Sequence, residues 1–80
     1  MTTAEITALL EATNCYGCYG LSITERLELG LLRQWLLSIN PAADTTGATL
    51  LTSVSCVVCF GASIFELLQI ALLSAINDAL

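Results

Sequence analysis

An 18-residue pattern in this chain occurs twice. Cys15–Leu32 returns as Cys56–Leu73, 41 residues further on, pairing Cys15 with Cys56, Cys18 with Cys59, Gly20 with Gly61, Ser22 with Ser63, Ile23 with Ile64, Glu25 with Glu66 and Leu27 with Leu68, and closing on Leu31/Leu72 and Leu32/Leu73. Nine of the 18 aligned positions are identical, and Tyr19/Phe60 and Leu29/Ile70 keep their chemical type. A tandem repeat constrains a fold strongly, because any local structure offered to the first copy must also suit the second.

The local signals inside each copy are helical. Thr2 and Glu5 have capping-box spacing, and Ile6, Leu9 and Leu10 share a face, which predicts a short helix from about Thr3 to Thr13. The segment CYGCYG interrupts it, with Gly17 and Gly20 expected to allow positive φ angles. Ser22 and Glu25 form a second capping box ahead of a long apolar run. In that run Ile23, Leu27, Leu31, Trp35 and Ile39 step by four, flanked by Leu32 and Leu36. Together these give a broad apolar stripe, with Trp35 as a core or interface anchor, while Arg26, Glu28, Arg33 and Gln34 lie on the wetter side. Asn40 and Pro41 end the helix. Residues 41–47 read as a polar connector, Ala48–Ser55 as a weaker helix and CVVCFG as the second turn. Ser63 and Glu66 cap a final helix, from Ile64 to Leu80, that is apolar almost all round.

The expected architecture is therefore all-α. Residues 1–80 form a single domain of two tandem helix–CxxC–helix repeats, about 3–40 and 48–80 with the connector 41–47 between them. They pack into a small four-helix domain with pseudo-twofold symmetry, the long second and fourth helices at its centre. Thr49–Phe65 is apolar enough to suggest a membrane span. The CxxC turn with Gly61, the capping pair Ser63–Glu66 and the more polar twin in the first half argue against one.

Composition narrows function by exclusion. Two cations, Arg26 and Arg33, face seven carboxylates, giving a net charge of −5, so neither nucleic acid nor an anionic lipid surface is an expected partner. No histidine is present, which removes the commonest general base and the commonest metal ligand. Glu25 and Glu66 are explained by capping, and no phosphate loop or Ser/His/Asp set exists, so the chain is not expected to be an enzyme. Apolar residues make up 56% of the chain and charged ones 11%, against a usual charged share of about 25%. That excess predicts docking onto protein subunits, in a larger assembly or a homo-oligomer.

The chemistry-bearing residues are Cys15, Cys18, Cys56 and Cys59, each pair followed by an aromatic residue and a glycine. A CxxC turn resembles a zinc knuckle, and two knuckles could give four sulfurs to one Zn²⁺, the sole cofactor in view. The 37 residues between the pairs exceed the roughly 15–20 of compact zinc sites, and disulfides within or between the pairs or between subunits have an equal claim, with free thiols as a third state. Thioredoxin-like redox work is disfavoured because Ser22 and Ser63 hold the helix caps, and haem attachment is excluded because Tyr19 and Phe60 replace the histidine it requires. The start MTTAEITALL lacks the basic segment of a signal peptide, which predicts cytoplasmic synthesis.

In its paired CxxC motifs, each followed by a leucine-rich helix (Cys15–Ile39 and Cys56–Leu80), the chain resembles small helical structural proteins encoded among the virion genes of tailed bacteriophages. The resemblance implies a capsid, neck or tail accessory component located in the virion. It tilts the cysteines toward disulfides, since virions meet oxidising surroundings. The alternative is a cytosolic protein-interaction module that binds zinc through all four cysteines.

Overall fold

The computed structural model describes residues 1–80 apart from the Val58 side chain. The chain has four α-helices, α1 (Thr3–Ala12), α2 (Ile23–Ile39), α3 (Gly47–Ser53) and α4 (Ile64–Ala79), with one 3₁₀ turn, Asn14–Tyr19, between α1 and α2 and another, Ser55–Phe60, between α3 and α4, and no strand occurs among the described residues. The all-α expectation holds. The shift of 41 that aligns the sequence also carries the first 3₁₀ turn onto the second and the start of α2 onto the start of α4. α2 and α4 make the most extensive contact, with α1 leaning on α2 and α3 on α4.

Each long helix begins where a serine can satisfy its orphan N–H groups. Ser22 Oγ accepts from the Glu25 N–H at 3.2 Å, while Glu25 Oε1 accepts from the Ser22 N–H at 2.9 Å. Ser63 and Glu66 repeat both bonds at the same distances, and Thr2 and Glu5 do the same for α1. α3 has no such box. Asp44 substitutes, accepting from the Thr46 N–H at 2.9 Å and the Thr49 hydroxyl at 3.1 Å. The helix starts at Gly47, one residue inside the expected connector, and ends after seven residues at Ser53. Gly47 lies close under the Tyr19 ring: a Cβ there would be 2.8 Å from Tyr19 Cε2, and the ring would have to shift.

The 3₁₀ turns arise where the α1 and α3 patterns run out. Thr13 and Val54, equivalent residues, both sit buried at helix C-caps with φ −104° and −120°. The N–H groups of Tyr16 and Val57 then bond back three residues to Thr13 and Val54. The turns stop at Gly20 and Gly61, with φ of +80° and +78°, a conformation that glycine adopts without steric cost. Gly17, the other glycine expected to use this freedom, has no positive φ.

One core joins both halves: Tyr16, Leu29, Leu36, Leu50, Val54, Leu67, Leu68, Ala71, Leu72 and Ile76. The apolar stripe of α2 is only partly in the core, through its flanking Leu36. Leu29, Gly30 and Leu36 are its buried residues, while Ile23, Leu31, Trp35 and Ile39 are exposed, so Trp35 is not a core residue. A step of four overshoots a helix of about 3.6 residues per turn by about 40° each time, so the row spreads over about 160° of the helix, mostly on the side turned away from the core. The polar side also differs. Arg26 and Arg33 are half-buried and hydrogen-bonded. No helix among the described residues is long and apolar enough to cross a membrane.

Candidate functional site

Two features stand out as candidates: the cysteine turns and the outward face of α2. In a 3₁₀ turn, residues i and i+3 eclipse one another. Cys15 with Cys18, and Cys56 with Cys59, are therefore each brought to one side of their turn, and all four thiols are free and exposed. No group of three or more His, Cys, Asp or Glu side chains placed to hold a metal occurs among the described residues. Each turn thus offers two sulfurs, and the structure does not gather the four expected zinc ligands into one site.

The two turns differ in what surrounds them. The first is tied down. Tyr16 is buried, its hydroxyl donates to the Thr45 carbonyl at 2.6 Å, and burial pushes its pKa up. The Tyr19 ring lies against Gly47, leaving that tyrosine 38% exposed. Arg26 reaches back from α2, with Nη2 donating to the Leu10 carbonyl at 2.7 Å and Nε to the Thr13 carbonyl at 3.2 Å. Both carbonyls lie at the C-terminal end of α1, where a cation meets the negative end of the helix dipole, and the Thr13 carbonyl also accepts from the Tyr16 N–H. At the second turn Leu67 occupies the position equivalent to Arg26, buried in the core, and Phe60, equivalent to Tyr19, is 87% exposed.

Along α2, Ile23 is 61%, Trp35 48% and Leu31 47% exposed, and Ile39 extends the series. A groove between α1 and α2, whose lining mixes Met1, Ala8, Leu31 and Leu37 with Glu5, Arg33 and Gln34, continues from it. Every buried side-chain nitrogen or oxygen among the described residues has a hydrogen-bond partner, so none is left poised for a ligand. The carboxylates are similarly engaged: hydrogen bonds from Thr2 to Glu5, from Ser63 to Glu66, and from Thr46 and then Thr49 to Asp44 hold these three groups below the ordinary carboxylate range.

Sequence reasoning identified the cysteines and the capping pairs but missed Tyr16, Arg26, Arg33 and Asp44 as structural ties. The usable signal for Arg26 was its break with the repeat, a cation opposite Leu67. No family model, curated protein or solved structure matches this chain.

Proposed function

We propose that the chain is a non-enzymatic structural module, a duplicated helix–CxxC–helix hairpin with approximate twofold symmetry, that docks into a multi-subunit assembly through the outward face of α2. The observation that carries this is the exposure of Ile23, Leu31, Trp35 and Ile39 on one 17-residue helix. Large apolar side chains scattered singly need no explanation, but four on the outward side of one helix leave apolar surface that water covers poorly and a partner covers well. The resemblance to small tailed-phage structural proteins makes a virion accessory component the reading of choice for the assembly. A second reading, an interaction module that binds zinc through its four cysteines, draws on the exposure of all four thiols in like turns.

The experiment is a paired variant, Leu31→Gln with Trp35→Gln, studied beside the unaltered chain in the presence of a chelator. The unaltered chain should associate with itself or co-purify with a subunit. The variant should lose that association while keeping its helical circular-dichroism signal. An unaltered chain that stays monomeric at high concentration and carries no co-purifying subunit removes the reading.

A further inference from the structure

A true twofold between two copies of a motif pairs like surface with like, so equivalent residues are buried to the same extent. Along the long helices of this chain they are not. Leu68, Leu72 and Ile76 of α4 are 0%, 0% and 2% exposed, whereas of their counterparts on α2 Leu27 is half-buried, Leu31 is 47% and Trp35 48% exposed. Ile23 is exposed where Ile64 packs against the core. Elsewhere on the same helices the difference is reversed. Leu29 and Leu36 of α2 are buried, while Ile70 and Asn77 at the equivalent places are exposed, and Leu73 is exposed where Leu32 packs against the core.

At about 100° per residue, Leu29 and Leu36 lie roughly 150° round α2 from Leu31. Each half therefore has two separate sides, and α2 meets α4 by pairing unlike ones: the Leu29–Leu36 side of the first half shares one core with the Leu68–Ile76 side of the second. A contact of this heterologous kind uses one side of each unit and leaves the other unmatched. The unmatched sides are the outward face of α2, with Ile23, Leu31 and Trp35, and the side of α4 that carries Ile70 and Leu73. Within the chain a surface of the first kind is covered by a surface of the second kind.

We infer that the outward face of α2 is covered by the Ile70–Leu73 side of α4 from a second copy, which repeats between chains the contact that joins the two halves of one chain. The inference rests on the docking role proposed for α2 and names its occupant. Because the two surfaces differ, every chain in a complex keeps one of each to offer, and assembly runs on to a ring or an open array. The joint between chains is weaker than the joint within one. Inside the chain the Tyr16 hydroxyl donates to the Thr45 carbonyl and Arg33 Nε to the Thr45 hydroxyl, tying the first half to the segment that leads into α3. On the second half Val57 and Ser74 stand in the places of Tyr16 and Arg33, and Asn77 in the place of Leu36, so association is reversible and follows concentration.

The test compares the full-length chain with two double variants, Leu31→Gln with Trp35→Gln on one surface and Ile70→Gln with Leu73→Gln on the other. Sedimentation velocity is run in reductant and chelator, which keep disulfides and metal out of the contact. The unaltered chain should gain mass with concentration, past a dimer or up to one ring size. Each variant alone should associate about a hundredfold more weakly, the loss expected for two buried anchors, with its helical circular-dichroism signal kept. Mixed in equal amounts, the two variants should form a complex of one chain of each and nothing larger, since each supplies the surface that the other lacks. Such pairing also shows that both are folded. A mixture that fails to pair while the unaltered chain associates would overturn the inference. So would full-strength association of the Ile70→Gln, Leu73→Gln chain by itself, which would mean that α2 faces meet each other. An unaltered chain that stays monomeric yet is held by a different subunit through Leu31 and Trp35 would overturn it as well, and would leave the docking role of α2 standing.

Discussion

Arg26 shows how one residue can make two copies of a motif unequal. Its guanidinium binds the Leu10 and Thr13 carbonyls and so ends α1, while Leu67, its counterpart, fills the core of the second half. Copying the second half into the first by Arg26→Leu would remove two charge-assisted hydrogen bonds, leaving the Thr13 carbonyl with the Tyr16 N–H alone and the Leu10 carbonyl with only the long contact from the Thr13 hydroxyl. The expected cost is about 1–3 kcal/mol. At about 4–8 °C per kcal/mol for a domain of this size, that is a visible fall in a thermal melt, and a variant melting with the unaltered chain would disprove the capping role. Lysine should rescue only part, since it cannot fork between two acceptors. Glu5, Asp44 and Glu66 have pKa values depressed by hydrogen bonds in the folded chain. Their contribution is present in full above the unfolded range near pH 4 and is lost as pH falls through the folded values. Stability should therefore decline below about pH 4, and Asp44→Asn with Glu66→Gln should flatten that decline in melts recorded from neutral pH downward.

At the level of elements, the 3₁₀ turns are where the repeat is easiest to test. Gly20 and Gly61 hold φ of +80° and +78°, and a Cβ added at either would meet nothing within 4 Å. The cost of alanine is then purely conformational, roughly 1–2 kcal/mol for an L-residue forced into that region. Gly20→Ala and Gly61→Ala should each lower the urea midpoint, and by similar amounts; a large difference would mean that the turns are not equivalent. Both glycines were legible in the sequence because the repeat marks them, as were all three capping boxes, whose logic spans only four residues. The buried face of α2 was not legible. Its row Ile23, Leu27, Leu31, Trp35, Ile39 is as apolar as the face actually buried, and tertiary contact with α4 decided between them. The close approach of α1 to α2 at Gly30, where a Cβ would come 3.3 Å from Leu9, was equally hidden, although Ala71, small and buried at the equivalent place, hinted at it.

Taken whole, the molecule is a thin slab, 38 × 29 × 17 Å, with a radius of gyration of 12.2 Å, slightly above the roughly 11.6 Å of a compact chain this long. Its accessible area of 4783 Å² is close to the roughly 4,700 Å² usual for 8.5 kDa, so the anomaly lies in the character of the surface and not in its extent. That much was foreseeable from 56% apolar residues in 80 positions. Which side chains would be left outside was not, because it depends on how α2 rotates against α4. A slab of this thickness has room for one apolar layer, and a core of this size supplies only about 3–5 kcal/mol of net stability. Burying the outward face of α2 in an assembly would add to that through mass action, since whatever binds only the folded chain stabilises it by RT ln(1 + [L]/Kd), about 2.7 kcal/mol at a hundredfold excess over Kd. The melting temperature should accordingly rise with protein concentration in the presence of a chelator. Leu31→Gln with Trp35→Gln should melt at one temperature at every concentration, matching the unaltered chain at its most dilute. A melting temperature of the unaltered chain that ignores concentration and added assembly subunits alike would show that the α2 face stabilises nothing by being covered.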